Sequence, residues 1–307
     1  MTMLRKKDLL GLKDLTKEEL EHILAHAGDM KESLVARETL DNLKGKCVAT
    51  LFYENSTRTK NSFETAARLL GARTVSISVA NSSVKKGESL IDTGKTLDAL
   101  MTDIIVIRHS MAGTPALLAR NVKSSVINAG DGMNEHPTQS LLDLFTMHEK
   151  FGTIKGLKVV MVGDIKHSRV ARSNLWALGK LGAETVVVAP YTLIPSGIEE
   201  LGCEVITDIE EAVAGANVVM GLRLQLERQK VGYFPSISEY GAEFGISQER
   251  LLNSCPDALV MHPGPVNRGV EIESAVVDGE NSVINEQVTN GVAVRMAVMD
   301  FLAGGDR

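Results

Sequence analysis

The sequence is short of the residues on which several common chemistries depend. Cysteine occurs three times, at Cys47, Cys203 and Cys255, and no two stand at a metal-binding spacing. Two of the three fall in apolar or strand-like surroundings, so reduced, buried thiols in a cytoplasmic protein are expected. No apolar run is long enough to cross a membrane, and the polar, charged residues 1–10 lack the core of a signal peptide. Positive charge is not in excess. The formal net charge of -6 argues against nucleic acid as a partner. Internal repeats, low-complexity tracts, a Ser/His/Asp pattern, a metal-ligand cluster and the G-x-G-x-x-G dinucleotide fingerprint are all missing. A small anionic ligand survives these exclusions, because local basic clusters decide that question.

What is there is a long alternation of strand and helix patterns. The 307 residues suffice for two domains with separate cores, and 44% hydrophobic with 23% charged residues is the balance of a soluble globular protein. Thr16-Lys17-Glu18-Glu19 fits a capping box opening a helix that runs to about residue 37. Strands are expected at 46–53, 74–78, 103–107 and 125–128, separated by helices at 61–70, 89–101 and 114–120. A helix over 137–150 has Pro137 in its first turn. A second series follows, with strands at 157–162, 185–189, 204–206, 217–220 and 258–261 and helices at 168–181, 194–201, 209–214 and 247–253. A long amphipathic helix closes the chain from residue 286 to about 303. The expected class is α/β: two doubly wound parallel-sheet domains joined by helices, divided near residues 130–150, with the C-terminal helix packing back on the first domain. In such folds ligands bind at the carboxyl ends of strands, and the polar motifs of this chain lie there.

The most informative motif is Phe52-Tyr53-Glu54-Asn55-Ser56-Thr57-Arg58-Thr59. It follows the apolar run 47–53 and precedes Phe63, Ala66, Ala67, Leu69 and Leu70, spaced as the inner face of a helix. Three hydroxyls and a guanidinium at a helix start, where backbone N–H groups are unpaired, suit a phosphate. Ser56 or Thr57 could instead be an ordinary N-cap, which leaves Arg58 and Thr59 unexplained.

The other motifs each read two ways. Arg108-His109 follows the apolar strand 104–107, so Arg108 is either a surface residue or a bidentate donor to phosphate or a carbonyl oxygen. Asn128-Ala129-Gly130-Asp131-Gly132 reads as a turn leading to His136-Pro137-Thr138-Gln139, where His136 and Gln139 either cap a helix or present donors to a substrate. Ser82-Ser83-Val84-Lys85-Lys86-Gly87-Glu88 is a solvated loop or a mobile anion clamp. Gly163-Asp164 and Lys166-His167-Ser168-Arg169 invite a dinucleotide site, but the fingerprint is lacking and Arg169 is a candidate for a carboxylate. Arg223 and Gln225 alternate with Leu222, Leu224 and Leu226, sharing one face of any extended segment or lying in a salt-bridged loop. His262-Pro263-Gly264-Pro265 is a plain turn or a stiff backbone offering C=O acceptors. Taken together, Arg58, Arg108, Arg169 and Arg223 all follow strand ends, and alternation would bring them to one cleft. Guanidiniums without a metal or nucleophile point to substrates that carry the reactive groups, oriented and neutralised by the protein.

Glu54-Asn55-Ser56-Thr57-Arg58-Thr59 with Phe63-Glu64 resembles the signature of the aspartate/ornithine carbamoyltransferase family. The Lys85-Lys86-Gly87-Glu88-Ser89, Arg108-His109, Asn128–Gly132, His136–Gln139 and His262–Pro265 motifs follow in the family's order, so the resemblance covers essentially the whole chain. The ornithine branch typically carries His-Cys-Leu-Pro in the last motif. His262-Pro263-Gly264-Pro265 lacks that cysteine and favours the aspartate branch, although Gly264 departs from the leucine or alanine often found there.

The resemblance implies transfer of the carbamoyl group of carbamoyl phosphate to L-aspartate in de novo pyrimidine biosynthesis, with ornithine or a related amine as the alternative acceptor. It implies a carbamoyl-phosphate-binding domain over 1–135, completed by the helix 286–303, and an aspartate-binding domain over 150–285. Ser56, Thr57, Arg58, Thr59 and Arg108 would bind phosphate. Thr59, Arg108 and His136 would polarise the carbamoyl oxygen. Gln139 and the backbone of Gly264 and Pro265 would meet the carbamoyl amide, and Arg169, Arg223 and Gln225 the aspartate carboxylates. Glu54 would brace an arginine across the domain gap. Ser82 and Lys86 would enter from a neighbouring subunit, implying a catalytic homotrimer with shared sites. No metal or organic cofactor is required, and a regulatory chain or an associated dihydroorotase is left open. A non-catalytic homologue would have lost phosphate-binding residues, and none of these is missing.

Overall fold

The structure is a computed structural model and describes residues 6–78, 87–225 and 232–304. The chain forms two compact units. The first comprises the chain up to Leu142 and again from Thr289, the second Asp143–Val288.

In the first unit the order is α1 (Lys17–Val35), β1 (Cys47–Phe52), α2 (Thr57–Leu69), β2 (Arg73–Ser78), α3 (Leu90–Ala99), β3 (Ile104–His109), α4 (Thr114–Ala119), β4 (Ser125–Asp131) and the start of α5 (Pro137–Phe151). The capping box at Thr16 is present: its hydroxyl accepts the Glu19 N–H at 3.2 Å while its own N–H donates to the Glu19 carboxylate at 2.8 Å. Among the described residues the sheet has the parallel order β2-β1-β3-β4. Strands buried on both faces read as continuous apolar runs, as Cys47–Phe52 does. Ala49, Leu51, Ile105 and Ile107 pack on one face with Leu97 of α3 and Leu118 of α4. Thr50, of opposite parity, donates to Glu64 of α2 at 3.3 Å, so α2 covers the other face.

In the second unit the order is β5 (Lys158–Gly163), α6 (Arg169–Leu181), β6 (Glu184–Val188), β7 (Glu204–Ile206), α7 (Ile209–Val213), β8 (Val218–Leu222), α8 (Ile237–Phe244), α9 (Gln248–Ser254), β9 (Leu259–Met261) and α10 (Ser274–Val277). Its sheet has the parallel order β7-β6-β5-β8-β9 among the described residues. Val160, Val162, Val186, Val188 and Val219 bury one face against α7. On the other face Asn174 of α6 approaches the Met220 sulfur at 3.5 Å.

The last helix, α11 (Ile284–Ala303), belongs to the first unit from Thr289 onward. Its Arg295 donates to Ser62 at 2.8 Å and lies 5.0 Å from the centre of the Phe63 ring, and its Asp300 meets His26 of α1 at 2.8 Å. This is the return of the C-terminal helix that the sequence predicts. No helix among the described residues is long and apolar enough to cross a membrane, and all three cysteines are buried.

The elements differ from expectation in a few places. Residues 194–201 were expected as one helix and instead hold a short 3-10 turn at Ile198–Leu201, with another just before them at Tyr191–Leu193. Pro195 and a left-handed Gly197 (φ +75°) interrupt any α-helix there. The α8 and α10 helices were not expected. β4 continues through Asn128–Asp131, which was expected as a turn.

Candidate functional site

Each sheet reverses its strand order at one point. In the first unit the chain lays β2 on one side of β1 and then β3 and β4 on the other, so the switch lies between β1 and β3. In the second, β6 and β7 lie on one side of β5, and β8 and β9 on the other. At such a point the connections leave adjacent strands toward opposite faces, and a crevice opens beyond the carboxyl ends. Phe52 pairs with Arg108 across the first switch, and Gly163 with Leu222 across the second. The Ser56–Thr59 segment and Arg108 therefore emerge on either side of one crevice, and Arg169 and Arg223 on either side of the other.

At the first crevice Ser56 occupies the N-cap position of α2 with extended backbone, yet its side chain makes no capping hydrogen bond, and the first turn carries no acidic residue. The ordinary serine cap is thus not formed, and the helix start keeps the positive end that an anion seeks. Thr59 is buried, whereas Thr57 and Arg58 are exposed. Desolvation by surrounding protein pulls the Arg58 guanidinium below its ordinary pKa even though much of the residue reaches solvent. A bound anion acts in the opposite direction.

Arg108 is held from the side. Its Nε donates to Glu54 Oε2 at 3.1 Å and its Nη1 to the Ala129 carbonyl at 3.5 Å. Next to this pair the rings of Tyr53 and His109 pack at 4.7 Å with a 50° tilt. The His109 Nδ1 accepts the Met111 N–H at 2.9 Å. Glu54 thus braces an arginine of its own unit.

The end of β4 is fixed by Asn128, fully buried, which donates to the Leu10 carbonyl at 2.9 Å and to Asp131 at 2.8 Å and accepts the Gly130 N–H at 2.8 Å. His136 and Gln139, both buried, then open α5, with the His136 carbonyl accepting the Gln139 N–H at 3.0 Å. Ser82 and Lys86 lie outside the described residues.

At the second crevice the organising group is Asp164, fully buried at the end of β5. Its Oδ1 accepts the His167 N–H at 3.1 Å and lies 2.8 Å from the His167 Nδ1, and its Oδ2 accepts the Gln225 N–H at 3.3 Å. The Gln225 amide returns a hydrogen bond to the His167 carbonyl at 3.0 Å. The loop after β5 is thereby tied to the loop after β8. Leu222 and Leu224 are buried while Arg223 and Gln225 are half-buried, the alternation expected of an extended segment. Gly163 is required here. Its φ is +139°, and a Cβ on it would lie 2.4 Å from the Leu222 carbonyl oxygen. Ser168 caps α6 by accepting the Ala171 N–H at 3.1 Å, which sets Arg169, buried, as the first helical residue.

His262–Pro265 follows β9, the strand beside β8. Gly264 adopts φ +62°, a left-handed conformation in which leucine or alanine is disfavoured. Among the described residues no group of three or more His, Cys, Asp or Glu side chains is arranged to hold a metal ion. Asp164, His167 and Tyr53 stood within the motifs read from sequence but were given no role there. Asp164 alone left a signal, as a carboxylate directly after a buried strand.

Residues 7–149 match the carbamoyl-P binding domain of the aspartate/ornithine carbamoyltransferases, and residues 155–302 match the Asp/Orn binding domain of the same proteins. The chain belongs to the aspartate/ornithine carbamoyltransferase family. Among its relatives, an aspartate carbamoyltransferase catalytic subunit from Acetivibrio thermocellus is 60% identical, over 99% of this chain and 98% of that protein. The structure of aspartate transcarbamoylase from Trypanosoma cruzi in complex with N-(phosphonacetyl)-L-aspartic acid is similar, with a TM-score of 0.90 at 29% identity, covering 98% of this chain and 97% of that one. Ornithine carbamoyltransferase from Pyrococcus furiosus is similar with a TM-score of 0.88 at 32% identity, covering all of both chains.

Proposed function

We propose that this chain is an aspartate carbamoyltransferase, moving the carbamoyl group of carbamoyl phosphate to the amine of L-aspartate to give N-carbamoyl-L-aspartate and phosphate. The observation that carries this is the placing of arginines at both switch points, with an uncapped helix start at the first. The domain preceding residue 136 takes carbamoyl phosphate, and the segment 150–285 takes aspartate. Ser56, Thr57, Arg58, Thr59 and Arg108 hold the phosphate. Arg169, Arg223 and Gln225 hold the two carboxylates. The amide of Gln225 already donates one hydrogen to the His167 carbonyl, so a carboxylate takes the second or displaces that bond.

In the reaction the neutral amine of aspartate attacks the carbamoyl carbon. The oxygen of the tetrahedral intermediate takes up charge that Thr59, Arg108 and His136 stabilise. The bond from carbon to the bridging phosphate oxygen then breaks, and the phosphate, neutralised by Arg58 and Lys86, accepts the proton lost by the amine. Gln139 and the carbonyls of Gly264 and Pro265 orient the carbamoyl amide. Ser82 and Lys86 come from a neighbouring copy in a homotrimer, and the enzyme works in the cytoplasm in pyrimidine biosynthesis.

An ornithine acceptor is the second candidate, favoured by the likeness to the Pyrococcus furiosus enzyme. Two arginines suit a dicarboxylate better than a cationic side chain. Incubation with carbamoyl phosphate and each amine, followed by product analysis, separates the two. Carbamoyl-aspartate without citrulline is expected, and citrulline alone would overturn the assignment.

A further inference from the structure

Pro263 and Pro265 have no backbone N–H, so Gly264 supplies the sole amide donor of the segment 263–265. That donor is already taken: the Gly264 N–H donates to the Nδ1 of His262 at 2.8 Å. Nδ1 must therefore hold a lone pair, and the ring proton sits on Nε2. Nε2 lies 3.3 Å from Glu271 Oε1 without forming a hydrogen bond to it. The same carboxylate oxygen accepts the Asn267 N–H at 2.7 Å. On the other side the His262 N–H donates to Gln287 Oε1 at 3.0 Å, Gln287 donates to Asp143 at 2.8 Å, and Asn174 donates to Asp143 at 3.0 Å. His262, Glu271, Gln287, Asp143 and Asn174 are all buried.

This support is costly. Glu271 Oε2 is buried without a hydrogen-bond partner, and apolar side chains would hold a turn at less expense. What it achieves chemically is selective: with its one N–H consumed, residues 263–265 turn only C=O acceptors to a ligand. Such a surface favours a group carrying N–H and gains nothing from a methyl of the same size.

We propose that His262, steadied by Glu271, is a specificity-determining positioning residue: by consuming the Gly264 amide it makes an acceptor-only loop that selects acyl phosphates bearing an NH₂. This rests on the carbamoyl transfer proposed above and adds to it the residue that tells carbamoyl from acetyl. His262 touches no substrate atom and acts through the backbone.

The test is the ratio of the binding constants of carbamoyl phosphate and acetyl phosphate, measured on the full chain by competition. Both ligands share the phosphate, so general damage moves both constants and leaves the ratio alone. His262→Leu should lower the preference for carbamoyl phosphate by about tenfold, the worth of roughly one hydrogen bond. His262→Asn, whose Oδ1 can take the place of Nδ1, should restore most of it. Both constants falling together at an unchanged ratio would overturn the role of His262. If His262→Leu does not fold, ¹⁵N NMR of the wild type decides. The ring proton is expected on Nε2, and a proton on Nδ1 contradicts the proposal. A wild type that forms no carbamoyl-aspartate refutes the parent function instead, so the two failures are told apart.

Discussion

Arg108 at the end of β3 donates from Nε to Glu54 Oε2 at 3.1 Å, which joins the strand end to the loop after β1 across the switch point. The pair sets the plane of the guanidinium before any ligand arrives, and its negative partner opposes an incoming anion. Glu54→Gln keeps an acceptor but removes the charge. Inorganic phosphate should then bind at least as tightly as in the wild type, while kcat falls on the order of tenfold as the neutral amide holds Arg108 less firmly than the carboxylate. Phosphate inhibition and steady-state rates check both halves.

His109 ties a pH response to the same corner. Burial pushes its pKa below the ordinary 6.5, opposed by the charges of Glu54 and Asp131, and Tyr53 and Arg108 adjoin it. The folded state thus binds the proton less readily than the unfolded chain. Stability is fully present above the unfolded value and is lost as pH falls through the lowered one. Protonation also turns Nδ1 from an acceptor of the Met111 N–H into a donor facing it. His109→Asn retains an acceptor that does not titrate. Its melting temperature should fall less than that of the wild type between about pH 7 and pH 5. Parallel curves would refute this role.

Gly163→Ala places a methyl 2.4 Å from the Leu222 carbonyl oxygen, and a backbone atom cannot turn aside. The expected cost is about 1–3 kcal/mol, read from denaturant unfolding. Because β5 and β8 part at the second switch point, the KM for aspartate should rise more than that for carbamoyl phosphate.

Much of this was legible in the sequence, for physical reasons. Buried parallel strands leave unbroken apolar runs, and β1, β3 and β5 were found within two residues at each end. The site candidates were legible because they directly follow those runs. The α8 helix escaped because its pattern is short, although Ser236 and Glu239, three apart, carry the capping signal, and the Ser236 hydroxyl accepts the Glu239 N–H at 3.1 Å. Contacts between distant segments leave no periodic trace. Nothing in the spacing of His262 and Glu271 announces that their side chains approach, and nothing in Tyr53 and His109 that their rings meet at a tilt.

The proposed sharing of sites between copies is testable without a structure of an assembly. Arg58→Ala and Lys86→Ala should each be nearly inactive alone. After verified subunit exchange a mixture should recover a measurable share of wild-type activity, since some sites then draw both intact residues from different chains. No recovery would mean that each copy works alone.

The central claim is that arginines at both switch points each grip one acidic end of the reactants. Its most direct test is calorimetric titration with a phosphonate joined to aspartate, using the wild type, Arg58→Ala and Arg223→Ala. Tight binding by the wild type is expected, weakened by on the order of 100-fold or more in either variant, as loss of a charge-assisted bidentate contact requires. Equal affinity in all three proteins would contradict the claim.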